Sequence, residues 1–256
     1  AVFLVVLLVL PLVYVIVTAI RDGWNAYAKA VSDTYAVKSI LLTLEVVAIT
    51  VVVNTIFGVF AAWIITKFTF RGKKVISTLI DLPLAISPII AGLIFVLTFG
   101  RQSFLYPYLE KAGVQVIFAV PGIVLATIFV TFPFISREII PVLTAAGSDE
   151  EEAAAMMGAN GFQIFTQITF PHIKWALLYG IVLCSARAMG EFGAVSVLSG
   201  HLRGLTNTMP LYIELLYQAF DFTGAFAMSS ILVVMAVIIL VLRNILEYRG
   251  KKEGEV

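Results

Sequence analysis

Residues Ser39 to Thr66 read SILLTLEVVAITVVVNTIFGVFAAWIIT, twenty-eight positions with Glu45 as the only charge. A helix needs about 20 mostly apolar residues to cross the hydrocarbon core of a bilayer, so this stretch predicts a membrane span. Five further stretches share the pattern on either side of it: Ala1 to about Ile20, about Leu82 to Phe99, about Val116 to Ile135, about Trp175 to Leu198, and about Phe226 to Leu242. The fifth of the six in chain order, Trp175 to Leu198, carries Arg187 and Glu191 inside it. The first stretch starts apolar at residue 1 without Met, and no basic segment or small-residue cleavage site precedes Arg21. It is expected to be a retained helix rather than a signal peptide, with further chain upstream. The fold expected is an all-α polytopic membrane protein with about six transmembrane helices, residues 1–256 forming one domain.

Composition excludes most other classes. The chain is 61% hydrophobic and 13% charged, with mean hydropathy +1.02, against about 45–50% apolar and about 25% charged in a soluble domain. A soluble enzyme and a disordered protein are ruled out. The formal net charge is +1, so there is no basic field for a nucleic acid. A single cysteine, Cys184, excludes an intrachain disulfide and a multi-thiolate zinc site, and with only His172 and His201 no metal centre is expected. Cys184 reads as a small buried residue and His172 as interfacial.

Lys and Arg are retained on the cytoplasmic side of a membrane protein. One set of connections holds ten of them, including the cluster Lys67, Arg71, Lys73 and Lys74; the other holds six. The richer side is expected to be cytoplasmic, which puts both ends of the chain inside. Two connections exceed ordinary loop length and are expected to be functional: 136–174 on the cytoplasmic side and 199–225 on the outer side. A charged tail, 243–256, follows the last span.

The 136–174 segment contains Ser148-Asp-Glu-Glu-Glu-Ala-Ala-Ala-Met-Met-Gly158-Ala-Asn-Gly161. Ser148 and Glu151 have capping-box spacing, and Asp149 to Glu152 fill a first turn where negative charge complements the helix dipole, so a helix should start at about residue 149. Gly158 suits the position just past its end. Ala153, Ala154 and Met157 should form a small apolar face with a flexible thioether, suited to docking on a partner. A solvated acidic helix is the alternative. The aromatic run Phe162 to Phe170 follows at helical spacing, and Pro171 is expected to stop the helix before the fifth span.

Glu152-Ala153-Ala154, Gly158, Ile168 and Pro171 together resemble the EAA motif of bacterial ABC importer permeases: E-A-A, three residues, G, nine residues, I-x-L-P. Phe170 stands where the pattern has Leu. Asp81 to Gly92, Val120 to Thr127 and Ala186 to Ala194 resemble the sulfate/molybdate branch of that family, and Gly200 to Glu214 resembles its W-type permeases of sulfate/thiosulfate importers. The resemblance implies the type I ABC importer permease fold, with a coupling-helix loop docking on a cytoplasmic ATPase dimer. It further implies a second, T-type permease completing the pathway in a bacterial-type inner membrane, and a periplasmic sulfate-binding protein delivering the anion. The chain has no G-x-x-x-x-G-K-[ST] loop, so no cofactor is expected on it, and ATP with Mg would be hydrolysed by the partner.

Within the membrane, Arg187 and Glu191 stand four residues apart, the spacing of one helix face. Charges there are expensive and should face the bundle interior or a wet cavity. They either present positive potential to a dianion or form a neutral pair that locks helix packing. Thr127, Thr131, Ser185, Ser196 and Ser199 are candidate uncharged pathway groups. Glu45 is expected near the outer surface, and Asp81 to cap the third span or pair with Lys73 or Lys74. His201 and Arg203 are candidate contacts for the binding protein, or solvated loop residues. Two other functions compete. An ion-gradient-driven secondary anion transporter or channel would leave the EAA motif unexplained. An intramembrane hydrolase lacks H-E-x-x-H and G-x-S-x-G motifs. Sulfate and molybdate have the same charge and tetrahedral shape, so a molybdate permease remains open.

Overall fold

A computed structural model describes residues 2–253, and among these no strand occurs. The first helices are α1 (Val2–Ile20), α2 (Trp24–Val31), α3 (Thr34–Lys67), α4 (Lys73–Ala85) and α5 (Pro88–Phe99). Next come α6 (Tyr106–Lys111), α7 (Val120–Thr131), α8 (Pro133–Ala146), α9 (Asp149–Met156) and α10 (Gly161–Ile164). A π-helical turn, Phe165–Thr169, leads into α11 (Phe170–Met189), followed by α12 (Gly193–Leu198), α13 (Met209–Gln218) and α14 (Phe222–Glu253).

The expected six spans become four helical stretches long and apolar enough to cross a membrane among the described residues: α3, Val120–Ala146, Gly161–Met189 and Phe222–Gly250. The third expected span is not one rod. It is α4 and α5, bent by 111° where Ile86 turns extended, and the pair adds at most a fifth span. Pro88 opens α5; a proline has no N–H to continue α4, and it pushes the residue before it out of the helical region. The first expected span is helical as α1, but its wholly described apolar part, Val9–Ile20, is shorter than a crossing length.

Two boundaries move for a related reason. Pro171 was expected to stop a helix, yet the chain stays helical from Gly161 to Met189. The turn just before it is widened to π geometry, with the N–H of Phe170 donating to the carbonyl of Phe165. That wider turn gives Pro171 room where a regular turn would clash with its ring. The fifth expected span ends early instead. It stops at Met189, and Gly190 to Phe192 are non-helical before α12 begins. Arg187 therefore lies in the last turn of α11 and Glu191 beyond its end, so one helix does not carry both.

Along α3 the usual distribution is inverted. Val52, Phe57 and Phe60 point outward while Thr50 and Asn54 are fully buried. Apolar side chains outside and polar ones inside is the arrangement a lipid solvent favours.

The chain divides into two compact units. One comprises Ala1–Val47, Pro88–Thr127 and Met189–Ile238. Its core gathers Ala36, Met209, Tyr212, Leu216, Ala225 and Met228, with a second cluster around Ile123, Val195 and Leu211. The closest packing is α5 on α12: a Cβ on Gly92 would lie 2.7 Å from the Ala194 carbonyl oxygen, and one on Gly193 would lie 2.9 Å from Pro88 Cβ. Only glycine permits that approach.

The other unit comprises Ala48–Ser87, Ile128–Ala188 and Ile239–Val256. Ile135, Ile139, Leu143, Ile173, Leu177 and Cys184 form its core, as expected of the cysteine. Asn54 ties α3 to α7, its Nδ2 donating to Thr131 Oγ1 at 2.8 Å and to the Ile128 carbonyl at 3.3 Å. Asp81 pairs with Arg137 at 2.8 Å rather than with Lys73 or Lys74. Both partners are exposed, so the pair contributes at most about 1 kcal/mol.

Candidate functional site

The 136–174 segment is helical almost throughout: α8 runs on to Ala146, and α9 starts at Asp149 as the charge pattern predicts. Its start is held differently from the expected capping box. The Ser148 hydroxyl donates to the Glu152 carboxylate at 2.7 Å instead of accepting from a backbone N–H. The end follows expectation. Gly158 takes φ 90°, its N–H donates to Ala155, and the Ala159 N–H reaches back to Ala154, the left-handed closure that glycine makes without a Cβ penalty. A capping box does occur a few residues on, where Asn160 and Gln163 bond each other's backbone reciprocally at the start of α10. The N-x-x-Q spacing was the available signal for it.

Each glutamate of α9 has a partner. Glu150 Oε2 lies 2.9 Å from His172 Nε2. Glu151 Oε1 meets Lys67 Nζ at 3.1 Å and accepts from Thr169 Oγ1 at 2.7 Å. Lys67 also donates to the Gly147 carbonyl. Among the described residues, Glu152 of the EAA motif bonds only within its own helix turn, to Ser148. Lys67, Thr169 and His172 thus join the site although nothing in their local sequence marks them; they lie too far from α9 along the chain for spacing to show it.

The apolar face of α9 splits in two. Ala154 is buried, whereas Ala153 is exposed and Met157 is 84% exposed. Met156 at 91% and Phe162 at 77% stand out beside it. Ile168 is half-buried in the π-helical turn, and Pro171 is half-buried in the first turn of α11. The result is a short helix held to its neighbours by Glu150 and Glu151, with Met156, Met157 and the α10 residue Phe162 projecting beside it. Exposed large apolar side chains grouped in this way mark an interaction surface.

The remaining candidates are spread over the molecule. Thr131 is buried and accepts from Asn54. The Ser185 hydroxyl donates to the Ile181 carbonyl of its own helix. Arg187 lies in the last turn of α11, half-buried; Glu191 is buried, and its Oε1 accepts from the Ala194 N–H at 2.9 Å, capping α12. Glu45 is exposed on α3. His201 is exposed at φ 54°, its N–H bonded to Ser199 Oγ, and the exposed Arg203 guanidinium lies 6.0 Å from the Tyr35 ring centre.

The 199–225 segment is held by a bond of its own and by bonds to α3 and the turn before it. Thr206 donates to the Ser199 carbonyl at 2.6 Å, and the N–H of Met209 donates to Thr43 Oγ1 at 2.8 Å. Tyr212 donates to Asp33 at 3.1 Å. Burial, then the Asp33 carboxylate beside it, pushes the Tyr212 hydroxyl up to about 12. Partial burial acts the other way on Asp33, but the N–H of Tyr35 and the Tyr212 hydroxyl hold its carboxyl below the ordinary range.

Helices long and apolar enough to cross a membrane, with no strand among the described residues, define an all-α integral membrane protein. The chain belongs to the family of binding-protein-dependent transport system inner membrane components, whose description matches residues 54–252. Among individual relatives, it is 44% identical to the sulfate transport system permease protein CysW of Escherichia coli (strain K12), over 95% of this chain and 84% of that one. Identity is 42% to CysW of Synechocystis, over 96% and 90% of the two chains. To the sulfate transport system permease protein CysT of E. coli K12 it is 31%, over 96% and 89%. The fold matches a bacterial alginate ABC transporter chain with a TM-score of 0.78 at 16% identity, over 98% of this chain and 91% of that one. Membership makes the chain a membrane permease component rather than an enzyme, and the similarity to CysW bears out the W-type resemblance.

Proposed function

We propose that this chain is the W-type permease subunit of an ATP-driven importer for a tetrahedral oxyanion, sulfate or thiosulfate. The observation that carries the proposal is α9: the EAA motif begins within it, it is held by its own carboxylates, and Met156, Met157 and, from α10, Phe162 project beside it. In this reading a cytoplasmic ATPase dimer grips that surface, a T-type permease completes the pathway, and a periplasmic binding protein delivers the anion. The α9 side and both chain ends are cytoplasmic. No cofactor resides on the chain; ATP and Mg belong to the ATPase. Higher identity to CysW than to CysT relatives supports the subunit type.

Rigid closure of the ATPase dimer would move α9, and the bundle would alternate between inward-open and outward-open states. Thr131, Ser185 and Arg187 are the polar positions proposed along the route, and weak binding there suits a conduit. Glu191 is assigned a structural role, since it already caps α12. His201 and Arg203 are proposed as outer contacts for the binding protein.

The test is reconstitution. The tagged chain, purified gently from native membranes with whatever accompanies it, is placed in liposomes with sulfate-loaded binding protein outside and ATP within. An ATPase and one different permease should co-purify, and labelled sulfate should enter only with hydrolysable ATP. Recovery of the chain alone, or uptake that survives ATP depletion, would contradict the proposal.

A further inference from the structure

The surface of α9 accounts for docking but not for how a push on a short helix reaches the long ones. The geometry points to a tether. We propose that the Lys67–Glu151–Thr169 cluster is the mechanical link through which displacement of α9 is passed to α3 and α11, with Lys67 as its positioning residue. The inference rests on the proposed function and deepens it.

Three observations support it. Lys67 is the last residue of α3, a continuous helix of 34 residues. A rod of that length spans about 50 Å, so a load applied at Lys67 is applied to the whole helix. The lysine is committed: its Nζ bonds Glu151 on α9 and the Gly147 carbonyl where α9 meets α8, and its side chain is only 9% exposed. Lysines that serve only as surface anchors keep much of the side chain in water; this one packs most of its length against the protein.

Glu151 is the hub. One oxygen, Oε1, takes both Lys67 Nζ and Thr169 Oγ1, so α9 is bonded at one point to the end of α3 and to the π-helical turn that opens into α11. The widened turn has a use in this arrangement. Thr169 is its last residue and is buried, facing the cluster. The helix irregularity that accommodates Pro171 also sets the Thr169 hydroxyl within reach of Glu151. With the carboxylate 17% exposed, the ion pair is shielded from water and salt more than the Arg137–Asp81 pair.

The division of labour follows. Glu152 belongs to the motif yet, among the described residues, bonds only Ser148, so it stabilises α9 itself. Glu151, one residue earlier, faces the bundle and holds α9 to it. Losing Lys67 should leave the docking face intact and the transmission slack.

The experiment uses the whole transporter in liposomes and reads sulfate uptake per ATP hydrolysed, beside the amount of ATPase that co-purifies. Lys67→Met should retain the ATPase and its hydrolysis while uptake per ATP falls at least about fivefold; Lys67→Arg should recover most of the ratio. An unchanged ratio in Lys67→Met would overturn the tether. So would loss of the ATPase from that variant, because Lys67 would then shape the docking surface. Should Lys67→Met not accumulate, Thr169→Val reads the same ratio, and an unchanged value there overturns the tether equally. A wild-type complex that lacks an ATPase, or transports without ATP, would refute the proposed function instead.

Discussion

The two long connections, 136–174 and 199–225, look alike in sequence: each exceeds connector length and carries polar and charged residues. In the structure they are opposites. The first pairs its charges, Glu151 with Lys67 and Thr169 in a shielded cluster and Glu150 with His172 at the surface, and leaves Met156, Met157 and Phe162 outside. The second buries Thr206 to Met209 and Leu211 and leaves Leu205, Tyr217 and Phe220 exposed. One segment is anchored by paired charges and the other by a buried run of side chains. Charge in a loop is therefore no guide to which surface meets a partner; the partners of the charges are.

That contrast can be broken most forcefully in the 199–225 segment. Met209 is fully buried in a cluster with Tyr212 and Met228, so Met209→Ala should cost about 2–5 kcal/mol, seen as a clear fall in the unfolding midpoint of the purified protein. A change well under 1 kcal/mol would mean that the segment is not part of the core. Next in size is Gly158→Leu. Nothing lies within 4 Å of a Cβ there, but φ is 90°, so the cost is backbone strain of roughly 1–2 kcal/mol confined to the end of α9. Uptake should drop far more than thermal stability does; equal losses would make α9 a structural element only.

Tyr212→Phe should cost about 1 kcal/mol through the lost bond to Asp33. Its pH dependence has a definite sign. The hydroxyl titrates at about 12 in the folded chain against an ordinary 10, so its contribution is complete below pH 10 and is lost as pH rises through 12. The variant should lack that portion of the alkaline loss, measurable as the difference between two stability–pH curves. Smallest of all in stability is Met157→Glu, within about 0.5 kcal/mol because the side chain is exposed; capture of the ATPase should nonetheless fall sharply.

The elements legible in sequence were those set by local chemistry: the apolar lengths of α3 and α14, the start of α9 at Asp149, its glycine closure at Gly158. What escaped depended on contacts between distant residues or on how helices tolerate proline. The Pro88 break and the π-helical turn before Pro171 are two answers to one problem, and the sequence does not say which is taken. The expectation that one helix carries both Arg187 and Glu191 fails because α11 ends at Met189 between them. In the site, the motif named Glu152, but the residue that joins α9 to the bundle is Glu151, visible only once Lys67 is seen beside it.

The most direct measurement is site-directed cross-linking in native membranes. A cysteine placed at Met157, at the end of α9, is compared with one at the exposed Leu202 of the 199–225 segment, the native Cys184 being fully buried. Met157→Cys should cross-link to an ATPase subunit and Leu202→Cys should not. No ATPase adduct from Met157→Cys, or an equal yield from both positions, would contradict the assignment of α9 as the coupling helix.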